Sequence, residues 1–273
     1  MNTLTDILNT AETIARRAGA GLRDAYSKPR QIAYKGAVDL VTQADRESER
    51  LIVAALRDSF PDHSIVSEEG GGVRQDGPYT WFVDPLDGTT NFAHGFPVFA
   101  VSMACQDAEG LAVGVVYDPL RDECFTAARG AGAALNGSPI HVSDCPDLDH
   151  ALLATGFPYD RRTAQDNNVT AFSTFIRRCQ GIRRAGAAAL DTAYVACGRL
   201  DGYWEMRLHA WDVAAGIVIL REAGAVVTDY QGSAALPGRV DNWSLVTGNS
   251  RVQPEVLEIM KGLYPHGAEG QPA

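Results

Sequence analysis

The chain has 273 residues, with 24 Lys+Arg against 34 Asp+Glu and a formal net charge of −10. An apolar fraction of 45% and a charged fraction of 21% exclude a disordered or collagen-like chain. The acidic balance argues against nucleic-acid binding through a basic surface, and the length accommodates one large domain or two of about 130 residues.

The N-terminus, Met1 to Asp6, has no basic segment followed by an apolar run, and no stretch reaches 18 uninterrupted apolar residues. Neither a signal peptide nor a membrane span is expected, which makes cytoplasm the expected location. Leu4, Ile7, Leu8, Ala11, Ile14, Ala15, Ala18 and Leu22 recur at helical spacing. A second helix is expected from Thr42, where Thr42 and Asp45 fit a capping box ahead of Leu51, Ile52, Ala55 and Leu56. Strand-like runs follow at 63–67, 80–83, 98–105, 111–117 and 123–127. Their succession without helices predicts an antiparallel sheet. After a polar stretch at 143–150 the pattern alternates: strand 152–155, helix 164–177, strand 182–184, helix 187–196, strand 203–206, helix 211–223, strand 225–228. That alternation predicts an α/β lobe. The expected division is 1–145 and 146–266, with a frayed tail at 267–273. The five cysteines, Cys105, Cys124, Cys145, Cys179 and Cys197, are odd in number and lack a Cys-x-x-Cys pair. Buried free thiols are expected rather than disulfides or a zinc site.

The chemistry concentrates in Asp84-Pro85-Leu86-Asp87-Gly88-Thr89, directly after the apolar run Trp81-Phe82-Val83. Two carboxylates about 4 Å apart repel by ~4 kcal/mol at an effective dielectric of 20. A shared proton or a divalent cation offsets that repulsion; a plain polar turn is the alternative for the motif alone. Ser67-Glu68-Glu69-Gly70 ends another apolar strand. Glu205 follows Tyr203-Trp204, and Asp212 stands at or near a helix N-cap. Arg177-Arg178 and Arg183-Arg184 read as solvated or strand-edge charges. His94 reads as a loop histidine, and Trp81 and Trp204 as core or rim aromatics.

Taken in order, Asp45, Glu68-Glu69, Asp84-Pro85-Leu86-Asp87-Gly88-Thr89 and Trp211-Asp212-x-Ala214-Ala215-Gly216 resemble the inositol monophosphatase family, a group of lithium-sensitive, magnesium-dependent phosphatases. Lys35 with Val38-Asp39-Leu40-Val41-Thr42, Thr155-Gly156-Phe157-Pro158-Tyr159 and Gly198-Arg199-Leu200-Asp201-Gly202 extend the likeness over nearly the whole chain. The resemblance implies a layered αβαβα sandwich, with N-terminal helices on an antiparallel sheet and a C-terminal α/β lobe. It implies hydrolysis of a phosphomonoester on a sugar alcohol, of the myo-inositol 1-phosphate type, by in-line attack of metal-bound water.

Residue by residue, the resemblance assigns Glu68, Asp84, the Leu86 carbonyl, Asp87 and Asp212 to two Mg²⁺ ions, with a third, weaker ion near Glu68. Glu68 and Thr89 would activate water, and Asp45 would hold Thr89. Asp87, Gly88, Thr89, Gly186, Ala188, Glu205 and Asp212 would contact the substrate. Ala187 replaces the hydroxyl residue of the family's Gly-Ser/Thr-Ala loop, which removes a hydrogen bond of about 1 kcal/mol and loosens inositol specificity. Thr90-Asn91-Phe92 is the inositol-type sequence rather than that of nucleotide or histidinol-phosphate phosphatases. The resemblance also implies a homodimer. Two further readings stand beside this one: a broader sugar-phosphate phosphatase that includes fructose 1,6-bisphosphate, and a regulatory protein on the transcription machinery with secondary phosphatase activity.

Overall fold

The computed structural model describes residues 3–28, 32–34, 40–234 and 241–267. Lys35, Val38 and Asp39, and the tail from 268 onward, lie outside the described residues. Helices α1 (Leu4–Tyr26) and α2 (Gln43–Ser59) both begin in capping boxes, on Thr3 with Asp6 and on Thr42 with Asp45. A short antiparallel pair, β1 (Ile32–Tyr34) and β2 (Leu40–Thr42), leads into α2.

The first large sheet contains β3 (Ser64–Ser67), β4 (Thr80–Asp87), β5 (Ala100–Asp107), β6 (Gly110–Asp118), β7 (Glu123–Ala128), β8 (Ala133–Leu135) and β9 (Ser138–Pro139), hydrogen-bonded in that order. The expectation of an antiparallel sheet holds from β4 onward, but β3 runs parallel to β4. The segment between them doubles back and is pinned where Val73 bridges Ile65. A short helix, α3 (Thr89–His94), stands between β4 and β5, so the strand run is not free of helices.

The second sheet is mixed, in the order β11 (Gly181–Arg183), β10 (Leu152–Thr155), β12 (Gly202–Leu208), β14 (Trp243–Gly248), β13 (Val226–Thr228). Helices α4 (Val169–Phe175), α5 (Ala188–Ala196), α6 (Ala210–Glu222) and α7 (Val252–Leu263) accompany it. Helix α4 is shorter than the expected 164–177. Its start is Asn168, buried with φ +69°, a left-handed residue that cannot continue a helix backwards.

Three apolar clusters give the layering. Residues of α1 and α2 pack on Trp81, Val83, Val101, Met103, Val113 and Val115, on one face of the first sheet. The opposite face (Phe82, Ala104, Val116, Phe125) packs on α5 and α6, which also cover Ala154, Tyr203 and Leu245 of the second sheet. The far face of that sheet, through Trp204, Met206 and Val246, meets α4 and α7. The order is therefore α–β–α–β–α. The middle helix layer is buried on both sides, and small residues stand at its closest contacts. A Cβ at Gly114 of β6 would sit 2.4 Å from the Ala215 carbonyl oxygen, and one at Gly216 would sit 2.0 Å from Thr192 Oγ1. Cys105 and Cys124 are buried thiols as expected. Cys145, Cys179 and Cys197 are only half-buried, because they lie outside the fully covered strands; all five are free. Among the described residues no helix is long and apolar enough to cross a membrane.

Gly114→Ala must displace α6 backbone from β6. It is expected to destabilise the protein by ~1–3 kcal/mol in urea unfolding, as overpacking of a filled core does. Gly21→Ala and Gly262→Ala in helices α1 and α7, where an added Cβ meets nothing within 4 Å, are expected to be neutral or stabilising by up to ~1 kcal/mol.

Candidate active site

Asp84 and Asp87 are three residues apart on β4. A regular strand would send them to opposite faces of the sheet. The ladder between β4 and β5 is instead irregular between these two residues. Pro85, which has no N–H to donate, sits at that irregularity. The shift brings both carboxylates onto one cleft of about 690 Å³. The carbonyl of Pro85 is satisfied by Ser48 Oγ at 2.8 Å. Gly88, at φ +90°, then turns the chain into α3, and a Cβ there would lie 2.9 Å from the Val98 carbonyl oxygen.

The same cleft is lined by Glu68 from the end of β3, by Leu86, Gly88 and Thr89, by Gly186, Ala187 and Ala188 at the start of α5, by Glu205 from β12 and by Asp212 from α6. The site residues expected from sequence therefore converge from both sheets. Glu69 is not among the lining residues. Asp45 stands one layer behind: its Oδ1 accepts from Thr89 Oγ1 at 2.9 Å, while its Oδ2 accepts from Thr42 N at 2.8 Å and from the Thr42 hydroxyl. Thr89 Oγ1 also lies 3.0 Å from the Leu86 carbonyl oxygen, so its single proton has two acceptors.

The three cleft aspartates Asp84, Asp87 and Asp212 are each anchored by a backbone donor. Asp84 Oδ1 accepts from Leu86 N at 2.9 Å, Asp87 Oδ2 from Ala189 N at 2.8 Å, and Asp212 Oδ2 from His209 N at 2.7 Å. The first sits in a tight turn. The second ties β4 to the first turn of α5. The third is the reciprocal half of a capping box whose N-cap is His209, so Asp212 is at N3. The Tyr203 hydroxyl donates to Glu205 Oε2 at 2.6 Å. Behind Glu68, Glu49 Oε1 accepts from Ser67 Oγ and, at 3.1 Å, from Gly71 N, which fastens the strand end.

Loss of solvation and mutual repulsion raise the affinity of this cluster for protons. Asp84 is pushed well up by burial, then by Glu68, Asp87 and Asp212. Burial raises Asp87 to about 7, with the Ala189 N–H opposing and the charge of Glu68 adding. Asp212 is raised by desolvation and by Glu68. Desolvation lifts Glu205 to about 7 against the opposing pull of Tyr203 and Arg184. Burial also raises Asp45, which its three hydrogen bonds counteract.

These donors are all oxygen, the chemistry of hard cations. Asp84, Asp87 and Asp212 each commit one oxygen to the backbone, leaving the other for an ion. Among the described residues no three Asp, Glu, His or Cys side chains form a cage that could hold an ion unaided. An ion here would also draw on carbonyl and water oxygens, as Mg²⁺ does.

Sequence reasoning missed several cleft residues. Arg184, exposed as expected of a solvated or strand-edge charge, also lies on the cleft wall. Its Nη1 would be 2.4 Å from a Cβ at Gly186, where φ is +85°. Asp191, in the apolar helix α5, is 2% exposed and lines the cleft, with Oδ1 lacking a hydrogen bond. A lone acid in an otherwise apolar helical run was the available signal. Asn91 Nδ2 donates at 2.8 Å to both the Val98 and the Ala185 carbonyls, joining the two sheets' loops. His94 closes α3, exposed on the cleft rim rather than in a loop. Trp81 and Trp204 are both fully buried core residues.

A model of the inositol monophosphatase family matches residues 3–262. The chain is similar to an inositol-1-monophosphatase of Synechocystis sp., with 46% identity over 255 residues covering 93% of this chain and 88% of that protein. It is as similar to a Nus factor SuhB of Pseudomonas aeruginosa, with 46% identity over 266 residues and coverage of 95% and 97%. The structure of an inositol monophosphatase from Anabaena superposes with a TM-score of 0.85 at 41% identity, covering 96% of this chain and 97% of that one.

Raised carboxyl pKa values give the cluster a defined pH signature. Protons bind Asp87 and Glu205 more tightly in the folded chain, up to about 7, than in the unfolded chain, near 4. Their contribution to stability is complete below pH ~4 and is lost as pH rises to about 7. In chelator, unfolding stability is expected to decline across that window; Asp87→Asn should flatten the decline in a pH series of thermal melts.

Proposed function

This chain belongs to the inositol monophosphatase family, and on that premise we propose that it is a Mg²⁺-dependent phosphomonoesterase acting on inositol monophosphates. The observation that carries the reading is the single cleft on which Glu68, Asp84, Asp87, Thr89, Glu205 and Asp212 meet. Glu68, Asp84, Asp87, Asp212 and the Leu86 carbonyl would hold two Mg²⁺ ions, with Glu68 the place for a third. When bound, such ions supply Lewis acidity at the phosphoryl group, offset the mutual repulsion of the carboxylates, and make water a stronger nucleophile.

The protein's own residues do the rest. Thr89 donates its proton to Asp45, which leaves the hydroxyl oxygen able to accept a hydrogen bond from an attacking water. Glu68 shares the orientation of that water and takes its proton. Asp45 is a positioning residue: anchored on the capping box of α2, it fixes the Thr89 rotamer. Gly88 and Thr89 turn backbone N–H groups towards the phosphate oxygens. On the opposite wall Glu205 accepts hydrogen bonds from polyol hydroxyls, and the Gly186–Ala188 stretch lies against the ring, with Asp87 bridging the two sides through Ala189 N. At Ala187 there is no hydroxyl to add a contact. The family resemblance further supports a homodimer and inhibition by lithium.

A chelator, or Asp87→Asn with Mg²⁺ present, is expected to abolish turnover. Thr89→Ala is expected to lower kcat by ~10²-fold, and a loss within threefold would remove Thr89 from the chemistry. In a panel of phosphate esters, myo-inositol 1-phosphate and glycerol 2-phosphate should be preferred over fructose 1,6-bisphosphate, histidinol phosphate and adenosine 3′,5′-bisphosphate. Preference for fructose 1,6-bisphosphate would favour the broader sugar-phosphate reading.

The equal identity to a Nus factor SuhB supports a second reading, a regulatory contact with the transcription machinery. Capture of RNA polymerase from lysate by both the parent and the Asp87→Asn protein would establish that contact as independent of catalysis.

A further inference from the structure

Glu205 owes its position to an absence. A Cβ built on Gly156 would lie 2.0 Å from Glu205 Oε2, 2.1 Å from Oε1 and 2.2 Å from Cδ. The carboxylate thus occupies the space that any side chain at 156 would need. Gly156 is not among the residues of positive φ, so its backbone does not call for glycine. Only the contact with Glu205 does.

Gly156 is itself held from behind. Asn168, with no solvent exposure, directs Nδ2 to the Gly156 carbonyl at 2.6 Å and to Thr155 Oγ1 at 2.8 Å, while its Oδ1 accepts from Trp204 Nε1 at 2.7 Å. Thr155 Oγ1 donates to the Trp204 carbonyl at 2.6 Å. The residues on either side of the cleft wall, 155–156 on β10 and its exit and 204–205 on β12, are therefore locked together through one buried amide. That amide sits at φ +69°, a conformation Asn tolerates better than most side chains.

We propose that Gly156 and Asn168 are specificity-determining positioning residues: they set where the Glu205 carboxylate stands and thereby decide whether the cleft distinguishes a polyol phosphate from a simple phosphate monoester. This inference rests on the reading of Glu205 as the polyol-binding acid. Physically, a carboxylate that is seated against backbone and tethered at Oε2 by the Tyr203 hydroxyl presents its remaining lone pairs in a fixed direction. Fixed acceptors select hydroxyl geometry; a swinging one does not. The three atoms nearest to a side chain at 156 all belong to the far end of Glu205, so it is this carboxylate that a substitution there displaces. The phosphate-handling acids, Asp84, Asp87 and Asp212, are anchored by separate backbone donors.

The test compares myo-inositol 1-phosphate with p-nitrophenyl phosphate, which has no polyol, in full kinetic profiles at saturating Mg²⁺. Gly156→Ala is expected to raise KM for inositol 1-phosphate about tenfold, the scale of one lost hydrogen bond to a charged group. Its kcat, and kcat/KM for p-nitrophenyl phosphate, should stay within about threefold. Asn168→Asp, isosteric but unable to donate to the Gly156 carbonyl, should shift the same ratio in the same direction. Glu205→Gln sets the scale of lost polyol recognition. If Glu205→Gln collapses the substrate ratio while Gly156→Ala and Asn168→Asp preserve it, the positioning role is overturned and the reading of Glu205 stands. If Glu205→Gln itself leaves the ratio unchanged, that reading fails and the inference fails with it.

Discussion

Electrostatic repulsion within the cleft is the constraint around which the molecule is organised. Carboxylates from β3, β4 and α6 are brought out of water next to one another, and Asp84 and Asp212 are pushed up in pKa by that crowding as well as by burial. Such a cluster is costly unless each member is separately held and a positive charge or a proton compensates it. The structure holds the three aspartates through backbone N–H groups: in the Asp84–Leu86 turn, at the start of α5 for Asp87, and in the capping box of α6 for Asp212. The cost is concentrated where a cation would relieve it, so binding an ion and stabilising the fold are linked.

The layered architecture follows from the need to bring these acids together. The two sheets carry parts of the site, and the helices between them are buried on both sides. Such a layer needs small residues at its closest contacts, as where Ala215 of α6 meets Gly114 of β6 and where Gly216 of α6 meets Thr192 of α5. Ties across the layer are polar and specific. Ser102 Oγ donates to the Trp211 carbonyl at 3.0 Å, beside Asp212, and Glu222 accepts from Gly130 N and Gly132 N at 2.9 and 2.8 Å. The Arg199 guanidinium meets the Glu123 carboxylate through two hydrogen bonds at 2.6 Å. The first two hold α6, and with it Asp212, against the first sheet, and the third ties the segment after α5 to β7.

Much of this was legible in the sequence because it is local. The capping box of Thr42 and Asp45, the apolar periodicity of α1, the bounds of β10 and the order of the acidic blocks depend on residues a few positions apart, where side-chain period and hydrogen-bond reach decide the outcome. The parallel pairing of β3 with β4 and the place of β14 between β12 and β13 are not legible locally, because such pairings are set by distant partners. Helix α4 starts later than its helical spacing predicts because the left-handed turn at Asn168 answers to Thr155, Gly156 and Trp204, not to its neighbours in the chain.

The sequence by itself determined which groups are available to the site: the acidic blocks, the glycine after Asp87, the Thr89 hydroxyl and the net charge of −10 to which the acids contribute. Only the tertiary structure decided how they are used. It bent β4 at Pro85 so that Asp84 and Asp87 face one cleft instead of opposite sides of a sheet. It also brought the exposed Arg184 to the cleft wall, buried Asp191 beside it, and seated Glu205 in the space left at Gly156. The physical reason is that residue type and spacing fix a side chain's chemistry and local direction, whereas solvation, charge neighbours and free volume belong to whichever distant segments the fold packs against it.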